Sequence, residues 1–444
     1  MKKIRIALWA ILLLPTALWF AADSLPMPPV GWFSFRTPFV QLTGVLAIVA
    51  MSVAMVLAVR PRRLEPPLDG LDKMYRLHKW LGIAALVLAV LHWWWAQGTK
   101  WMVGWGWLVR PERKGAGTVE LGAIEQWLRG QRGLAETMGE WAFYAVAALI
   151  VVALVRRIPY HVFAWLHRWI SVPYLVLAFH TVVLTQFDYW SQPVGWLVAA
   201  ALACGTAAAV VALTRRIGAG RRASGRIESL NWYPELRVLE TAIRVDSGWA
   251  GHAAGQFAFV TSRKAEGAHP YTIASAWDPA DPRIVFITKA LGDHTARLHE
   301  RLTAGMPVLI EGPYGRFDFR DEKPRQIWIG AGIGITPFVA RMKQIARTPG
   351  SQAIDLFHPT ADFSQAAIDK LSADARAADV RLHLLVDKRD GRLDAERIRA
   401  AVPQWREASV WFCGPAGFGE ALRRDFVAAG LSPDDFHQEL FEMR

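Results

Sequence analysis

Cysteine is nearly absent from this chain: 444 residues include two, Cys204 and Cys413. One lies in an apolar first half and the other in a more polar second half. Two thiols exclude a disulfide framework, and they exclude a cysteine-ligated iron–sulfur cluster, which needs four thiolates. Any metal chemistry in this chain therefore has to rest on other ligands.

A continuous basic stripe is also missing, although the formal net charge is +12. The arginines are grouped at 60–63, 156–157, 215–216 and 221–222, and each group stands beside an apolar run. That placement is typical of the positive charge that flanks membrane spans, and not of a groove for DNA or RNA. We therefore expect a lipid bilayer as a partner and no nucleic acid.

Charged residues are scarce up to about Thr214, and the sequence after it has the composition of a soluble chain. Apolar segments long enough to cross a hydrocarbon core of about 30 Å lie at approximately 6–22, 38–59, 79–97, 141–155, 162–185 and 194–214. The sequence therefore predicts six membrane spans followed by a soluble half.

Lysine and arginine are unequally divided between the two sides of these spans. With the N-terminus inside, 17 of them flank the inner side and 7 the outer side, so we expect the soluble half in the cytoplasm. The first span, "MKKIRIALWAILLLPTALWFAADS", fits either a retained helix, which we favour, or a cleaved signal peptide. Both interpretations leave the second half cytoplasmic. The Trp-rich loop 98–140 either covers a site or rests on the lipid headgroups.

Two spans have histidine near both ends: "HKWLGIAALVLAVLH" (78–92) and "HRWISVPYLVLAFH" (167–180). A rise of about 1.5 Å per residue separates His78 from His92 by about 21 Å, and His167 from His180 by about 19.5 Å. Spans three and five run parallel, so His78 and His167 share the inner depth while His92 and His180 share the outer depth. Two imidazoles at one depth are the axial ligands of a bis-histidine haem, and four predict two haems.

The helical phase of these histidines differs between the two spans. At about 100° per residue, the step from His78 to His92 returns to within about 40° of the same face. The step from His167 to His180 leaves an error of about 140°. Pro173 lies between them and can kink the helix, so we expect it to shift the phase.

The soluble half changes its pattern at about residue 326. Before it, "GQFAFVT", "HPYTIAS", "RIVFITKAL" and "MPVLIEGPYG" predict the short strands of a β-barrel. Asp293 or Thr295 in "KALGDHTARL" is expected to cap a helix. After it, strands and helices alternate, beginning with "QIWIGAGIGITPF", a glycine-rich strand–helix turn that fits a pyrophosphate. "VWFCGPAGF" (410–418) is a second strand that ends in a turn, where a doubly wound sheet binds its ligand.

These motifs occur in one order with "EGPYGRF" and the C-terminal "ELFEMR". In that order they resemble the flavin- and nicotinamide-binding module of the ferredoxin-reductase superfamily, and with the histidine pairs the chain resembles bacterial members of the ferric reductase/NADPH oxidase family. The resemblance implies a membrane all-α six-helix haem-binding bundle at 1–216. It further implies an FAD-binding β-barrel at 217–322 and an α/β doubly wound NAD(P)-binding domain at 323–444.

The resemblance also implies roles for particular residues. FAD would be bound by one set, with Tyr271 and Thr272 at the isoalloxazine: His269, Pro270, Tyr271, Thr272, Ser275, Gly292, Asp293 and Thr295. The NAD(P)H phosphates would be bound by Gly330, Gly332, Gly334 and Thr336. Cys413, Gly414 and Pro415 would line the nicotinamide, and Phe441 would cover the flavin.

We therefore expect a multi-pass protein of the bacterial inner membrane that moves electrons from NAD(P)H through FAD and two b-type haems to an outer acceptor. That acceptor is ferric chelate, oxygen or a periplasmic protein partner, and a membrane haem or redox sensor is the non-enzymatic alternative. NADPH is favoured over NADH, although "DLFHPTADFSQ" lacks the arginine that often meets the 2′-phosphate; His358 or Ser364 would have to replace it.

Overall fold

The computed structural model describes residues 2–26, 31–109, 122–155, 157–158, 160–263 and 266–439, without the side chains of residues 160 and 161. The chain forms two compact units that divide between Ile217 and Gly218, with residues 70–72 grouped in the second. The first unit is helical, and its helices are α1 (Lys2–Ala22), α2 (Trp32–Ala58), α3 (Leu71–Gly104), α4 (Ala123–Gly130), α5 (Arg132–Leu154), α6 (Tyr160–Arg168), α7 (Ser171–Leu184) and α8 (Pro193–Leu213).

Six helical segments in the described residues are long and apolar enough to cross a membrane, which confirms the predicted six spans. They are α1, α2, α3, α5, the stretch Val162–Leu184 and α8. α2 is the most buried of them and packs against α1, α7 and α8. The fourth span begins at Arg132 and not near residue 141, because the charged first turns that sequence hydropathy excludes continue the same helix.

The fifth span is interrupted between α6 and α7, at Trp169 and Ile170. The amides there bond three residues back: Trp169 to Leu166 at 3.0 Å, Ile170 to His167 at 3.2 Å and Val172 to Trp169 at 3.1 Å. Such 3₁₀-type bonds advance the chain by about 120° per residue instead of 100°. Pro173, in the first turn of α7, has no N–H to bond the Trp169 carbonyl, so the interruption falls just before it.

The second unit begins with a six-stranded antiparallel sheet. Its strands are β1 (Arg222–Tyr233), β2 (Val238–Ser247), β3 (Phe257–Thr261), β4 (His269–Thr272), β5 (Arg283–Lys289) and β6 (Pro307–Tyr314), in the order β4-β3-β6-β1-β2-β5. A bridge between Ile273 and Phe286 links the two edges. Alternate residues of β5 are buried, as expected of a strand with one face in a core. A one-turn helix, α9 (Leu298–Arg301), precedes β6.

A five-stranded parallel sheet follows, in the order β11-β10-β7-β8-β9. Its elements are β7 (Arg325–Gly330), α10 (Thr336–Arg347), β8 (Ala353–Thr360), α11 (Gln365–Ala377), β9 (Val380–Val386), α12 (Asp387–Asp390), α13 (Ala395–Ala401), β10 (Ala408–Cys413), α14 (Ala416–Ala428) and β11 (Phe436–Gln438). Every residue of β10 is buried because apolar clusters cover both faces of the sheet. The strand order reverses between β7 and β10, where this class of fold binds its ligand.

Candidate redox site

The four histidines of the third and fifth spans lie in two pairs. The ring centroids of His78 and His167 are 5.8 Å apart with an interplanar angle of 76°, and those of His92 and His180 are 6.1 Å apart at 74°. The interruption between α6 and α7 thus leaves both histidines of the fifth span facing partners on α3. The structure brings together the residues that the depth argument paired.

The spacing of each pair fits a metal ion between the two rings. Two metal–nitrogen bonds of about 2 Å, together with roughly 1 Å from each nitrogen to its ring centre, give about 6 Å between centroids. No group of three or more His, Cys, Asp or Glu suited to a metal occurs among the described residues. A macrocycle that supplies the other ligands, as haem does, therefore fits these pairs better than a bare ion.

The most buried helix, α2, orients both histidines of α3. His78 Nδ1 lies 2.8 Å from the Ala54 carbonyl oxygen, and His92 Nδ1 lies 2.9 Å from the Val40 carbonyl oxygen. The two carbonyls are fourteen residues apart, as are the two histidines. A carbonyl accepts, so each Nδ1 carries the proton and each Nε2 keeps its lone pair for a metal.

A third carbonyl orients His180, whose Nδ1 lies 2.9 Å from the oxygen of Ala135 on α5. Gly139, one turn further along α5, faces the same ring: an added Cβ would come within 2.0 Å of His180 Nδ1. Hydropathy could not identify Gly139, because its role depends on which helix packs against α7. His167 Nδ1 is buried and has no hydrogen-bond partner among the described residues.

Arg36 lies in the cavity that holds the rings of His92 and His180. Its Nη2 donates to the Ala96 carbonyl oxygen at 2.8 Å, while its buried Nε has no partner among the described residues. An unpaired guanidinium N–H beside the rings fits an anionic group such as a haem propionate. Arg36 was not among the predicted site residues, because an arginine near the end of a span is also typical of a residue that reaches the membrane interface.

The predicted flavin residues converge on a hydrogen-bonded chain in the second unit. The Tyr271 hydroxyl donates to His294 Nε2 at 2.9 Å, and His294 Nδ1 donates to a carboxylate oxygen of Glu266 at 2.7 Å. Arg301 pairs with the other oxygen of Glu266. Burial raises the pKa of Tyr271 and lowers that of His294, so both are neutral near pH 7. His294 lies in the segment from Gly292 to Thr295, which the family resemblance assigns to the FAD pyrophosphate, but it was not named individually as a site residue.

His269 stacks on His294, with ring centroids 3.6 Å apart and planes 7° apart. Burial, with the neighbouring His294 as a smaller cause, lowers the pKa of His269 to about 4. His269 is therefore neutral near pH 7 and carries no formal positive charge there. Pro270 and Thr272 lie on the same strand, β4.

Thr295 does not cap a helix as predicted. Its hydroxyl accepts from the backbone amides of Leu291 at 3.0 Å and Gly292 at 3.1 Å, and the segment behind it is a 3₁₀ turn followed by the single turn of α9. The side chain of Asp293 makes no helix cap either. The hydroxyl of Ser275 accepts from the Val285 amide at 3.1 Å and thereby connects the segment after β4 to β5.

The predicted nucleotide residues meet where the strand order reverses. Cys413 and Gly330 are register partners at the carboxyl ends of β10 and β7. A Cβ on Gly334 would come within 2.1 Å of the Cys413 carbonyl oxygen, so only glycine permits this approach. Gly332 has a φ of +55°, which also favours glycine. Gly414 follows β10 and Pro415 is the N-cap residue of α14, so both lie at this edge.

Two further predicted residues, Thr336 and Cys413, are both buried but have different surroundings. The Thr336 hydroxyl donates to the Ile333 carbonyl oxygen at 2.8 Å and closes the turn before α10. Cys413 is fully buried, and burial raises the pKa of its thiol, so it is neither a thiolate nor a metal ligand here. Phe441 lies outside the described residues.

Two family models match this chain. The "Ferric reductase like transmembrane component" matches residues 43–178, and an "FAD-binding domain" matches residues 226–318. The first match includes His78, His92 and His167 and ends two residues before His180. The second includes β4 with the Tyr271–His294 contact. Together they match the domain pair of the ferric reductase/NADPH oxidase family, and the predicted resemblance to that family is confirmed.

Individual relatives match parts of the chain. A protein named NADPH oxidoreductase from Mycobacterium tuberculosis is 32% identical over 169 residues, which are 36% of this chain and 43% of that protein. Respiratory burst oxidase homolog protein E of Arabidopsis thaliana is 25% identical over 260 residues, covering 52% of this chain and 26% of that protein. Among solved structures, a flavohemoglobin from Malassezia yamatoensis has a TM-score of 0.48 and 15% identity, and covers 91% of this chain and 98% of that chain.

The chain spans between 38% and 50% of the length of the first three curated relatives that it matches. The family models and the six apolar helices identify a multi-pass membrane protein that carries a ferric reductase-like transmembrane component and an FAD-binding domain.

Proposed function

We propose that this chain is an NAD(P)H-dependent transmembrane oxidoreductase of the cytoplasmic membrane of bacteria. It passes electrons through FAD and two b-type haems to ferric chelate or oxygen on the outer face. The observation that supports this proposal most strongly is the geometry of the two histidine pairs, 5.8 Å and 6.1 Å between ring centroids on the same two spans. Two stacked bis-histidine sites give electrons a route along the membrane normal.

When bound, FAD would supply the conversion of a hydride into single electrons and haem would supply one-electron transfer. The chain's own residues bind and orient them. Ala54, Val40 and Ala135 direct three imidazole Nδ1–H groups away from the metal positions. Arg36 provides a positive charge for an outer propionate.

The second unit orders the flavin and nucleotide for hydride transfer. Gly334 and Cys413 approach closely, which brings the glycine-rich turn after β7 and the turn after β10 to one edge of the sheet. The chain Tyr271–His294–Glu266 fixes the tyrosine ring that the family resemblance places at the isoalloxazine. Neutral Tyr271 and His294 avoid a fixed positive charge beside the flavin.

Reconstitution into proteoliposomes with NADH or NADPH on one side tests the proposal. We expect reduction of ferric chelate, or superoxide-dismutase-sensitive reduction of cytochrome c, on the opposite side. Flavin and haem that become reduced without turnover of either acceptor would instead favour a protein partner. Flavin that stays oxidised with both nucleotides contradicts the proposal and favours the sensor.

A further inference from the structure

A cavity in the second unit lies beside the glycine-rich turn, at the carboxyl end of β8. Gly332 and Ile333 line one side of it, and Thr360, Asp362 and Ser364 line another. Thr360 Oγ1 donates to the Asp362 carbonyl oxygen at 2.8 Å and fixes the turn between β8 and α11. In doubly wound folds, the end of the second strand meets the adenosine ribose of a dinucleotide.

The charges that line this cavity balance. Three lysines and three carboxylates line it: Lys289, Lys343, Lys370, Glu240, Asp362 and Asp374. Among the described lining residues there is no arginine. His358 adds no charge, since burial lowers its pKa and its Nδ1 is 2.7 Å from the Gly330 carbonyl oxygen.

Two of the three lysines are ion-paired with a carboxylate. Lys289 Nζ is 2.6 Å from Asp362 Oδ2, and Lys370 Nζ is 2.7 Å and 2.6 Å from the two carboxylate oxygens of Glu240. Lys343 acts on Asp374: burial, the larger effect, raises the pKa of that carboxyl, and Lys343 lowers it. A ribose 2′-phosphate at the turn after β8, with a charge of about −1.5 to −2, would have to separate Lys289 from Asp362 or remain beside the Asp362 carboxylate.

We infer that this site selects NADH over NADPH, with Asp362 as the residue that determines the preference. The inference rests on the proposed function. A free ribose 2′-hydroxyl can donate to the Asp362 carboxylate, whereas a 2′-phosphate is repelled by it and finds Lys289 already paired. Ser364 contributes only a hydroxyl dipole at the start of α11, which does not replace a cation. This reverses the expectation of NADPH from the sequence.

Equilibrium binding to the full-length, FAD-loaded protein in detergent tests this preference without turnover. The probes are ADP-ribose and 2′-phospho-ADP-ribose, measured by titration calorimetry. We expect ADP-ribose to bind at least about tenfold tighter than 2′-phospho-ADP-ribose, a difference that one charge contact typically provides. Asp362→Asn removes the repulsion and releases Lys289, so the ratio should fall about tenfold. The Lys289–Asp362 pair is partly exposed, so its loss leaves the fold intact.

Asp369→Asn is the matched control. Asp369 lies on α11, which follows the turn that contains Asp362; it is exposed and contacts Gln365 outside the cavity. The Asp369→Asn variant removes one negative charge, as Asp362→Asn does, and should leave the ratio of the two probe affinities unchanged. Equal or tighter binding of the phosphorylated probe by the unmodified protein overturns the preference while the proposed function stands, as does an unchanged ratio in Asp362→Asn. Binding of neither probe overturns the proposed function itself.

Discussion

Gly139 and His180 are in direct contact across two spans: a Cβ on the glycine would come within 2.0 Å of the imidazole Nδ1. The imidazole ring occupies the space that the Cβ of any other residue type at position 139 would fill. The Ala135 carbonyl, one turn earlier, holds the same nitrogen. The position of the His92–His180 pair therefore depends on a hydrogen atom in place of a methyl group at residue 139.

Gly139→Ala should displace His180 and abolish the outer haem site while leaving the inner pair in place. We expect haem content to fall from two to about one per chain, because a backbone-attached methyl cannot move aside. Gly133→Ala is the control on the same helix, where an added Cβ meets nothing within 4 Å. Equal haem content in the two variants contradicts the assigned contact.

Gly334→Ala should abolish nucleotide binding and destabilise the nucleotide-binding sheet by about 1–3 kcal/mol, as overpacking does. The added methyl would collide with the Cys413 carbonyl oxygen. FAD and haem contents should stay unchanged, since their residues lie elsewhere. Gly417→Ala, in the first turn of α14 with open space around it, should bind ADP-ribose normally. Normal binding by Gly334→Ala would sink the placement of the glycine-rich turn.

His294→Ala removes the acceptor of the Tyr271 hydroxyl and leaves the Glu266 carboxylate with Arg301 and Arg263. An unpaired buried hydroxyl costs about 1–3 kcal/mol, so the affinity for FAD should fall roughly tenfold or more. Equilibrium dialysis of the purified variant measures it. The matched control is His299→Ala, whose ring stacks on Trp232. If both variants retain FAD equally, the Tyr271–His294 contact does not support flavin binding.

The stability of the flavin module should depend on pH through His252. Burial lowers its pKa to about 4, while its Nε2 donates to the Ser275 carbonyl oxygen at 3.0 Å. The unfolded chain, with a histidine pKa of about 6.5, binds the proton first, so stability is fully present above pH 6.5 and is lost as the pH falls toward 4. The loss amounts to about 3 kcal/mol for a shift of this size.

Urea unfolding of the full-length protein, followed by flavin fluorescence between pH 7 and 4.5, measures this dependence. His252→Gln should reduce the slope, and a remainder should persist because the pKa of His269 is also lowered to about 4. A slope identical to that of the unmodified protein would show that His252 is not the titrating group.

The number of spans and the histidine pairs were predictable because apolar length and residue spacing are local properties. The start of the fourth span was not predictable, since Arg132 and Glu136 lie in the first two turns of α5, and hydropathy assigns such charged residues to a loop. The phase of the fifth span needed the 3₁₀-type bonds at Trp169 and Ile170, which precede the expected kink at Pro173.

The candidate site shows the same division. Motifs place Tyr271, Gly334 and Cys413 from single stretches of sequence. Long-range partners have no such signal: Gly139 with His180, or Lys289 with Asp362, depends on how distant elements pack. Strands β1 and β2 were not among the predicted runs, because glycine, serine and charged residues interrupt their apolar pattern.

Haem content per chain, measured by pyridine haemochrome absorption of the purified protein, tests the central claim most directly. The account predicts two b-type haems in the unmodified protein and about one in His78→Ala and in His180→Ala, because each variant loses one member of a different pair. His383→Ala, on β9, should retain two. An unmodified protein without haem, or histidine variants that keep both haems, contradicts the account.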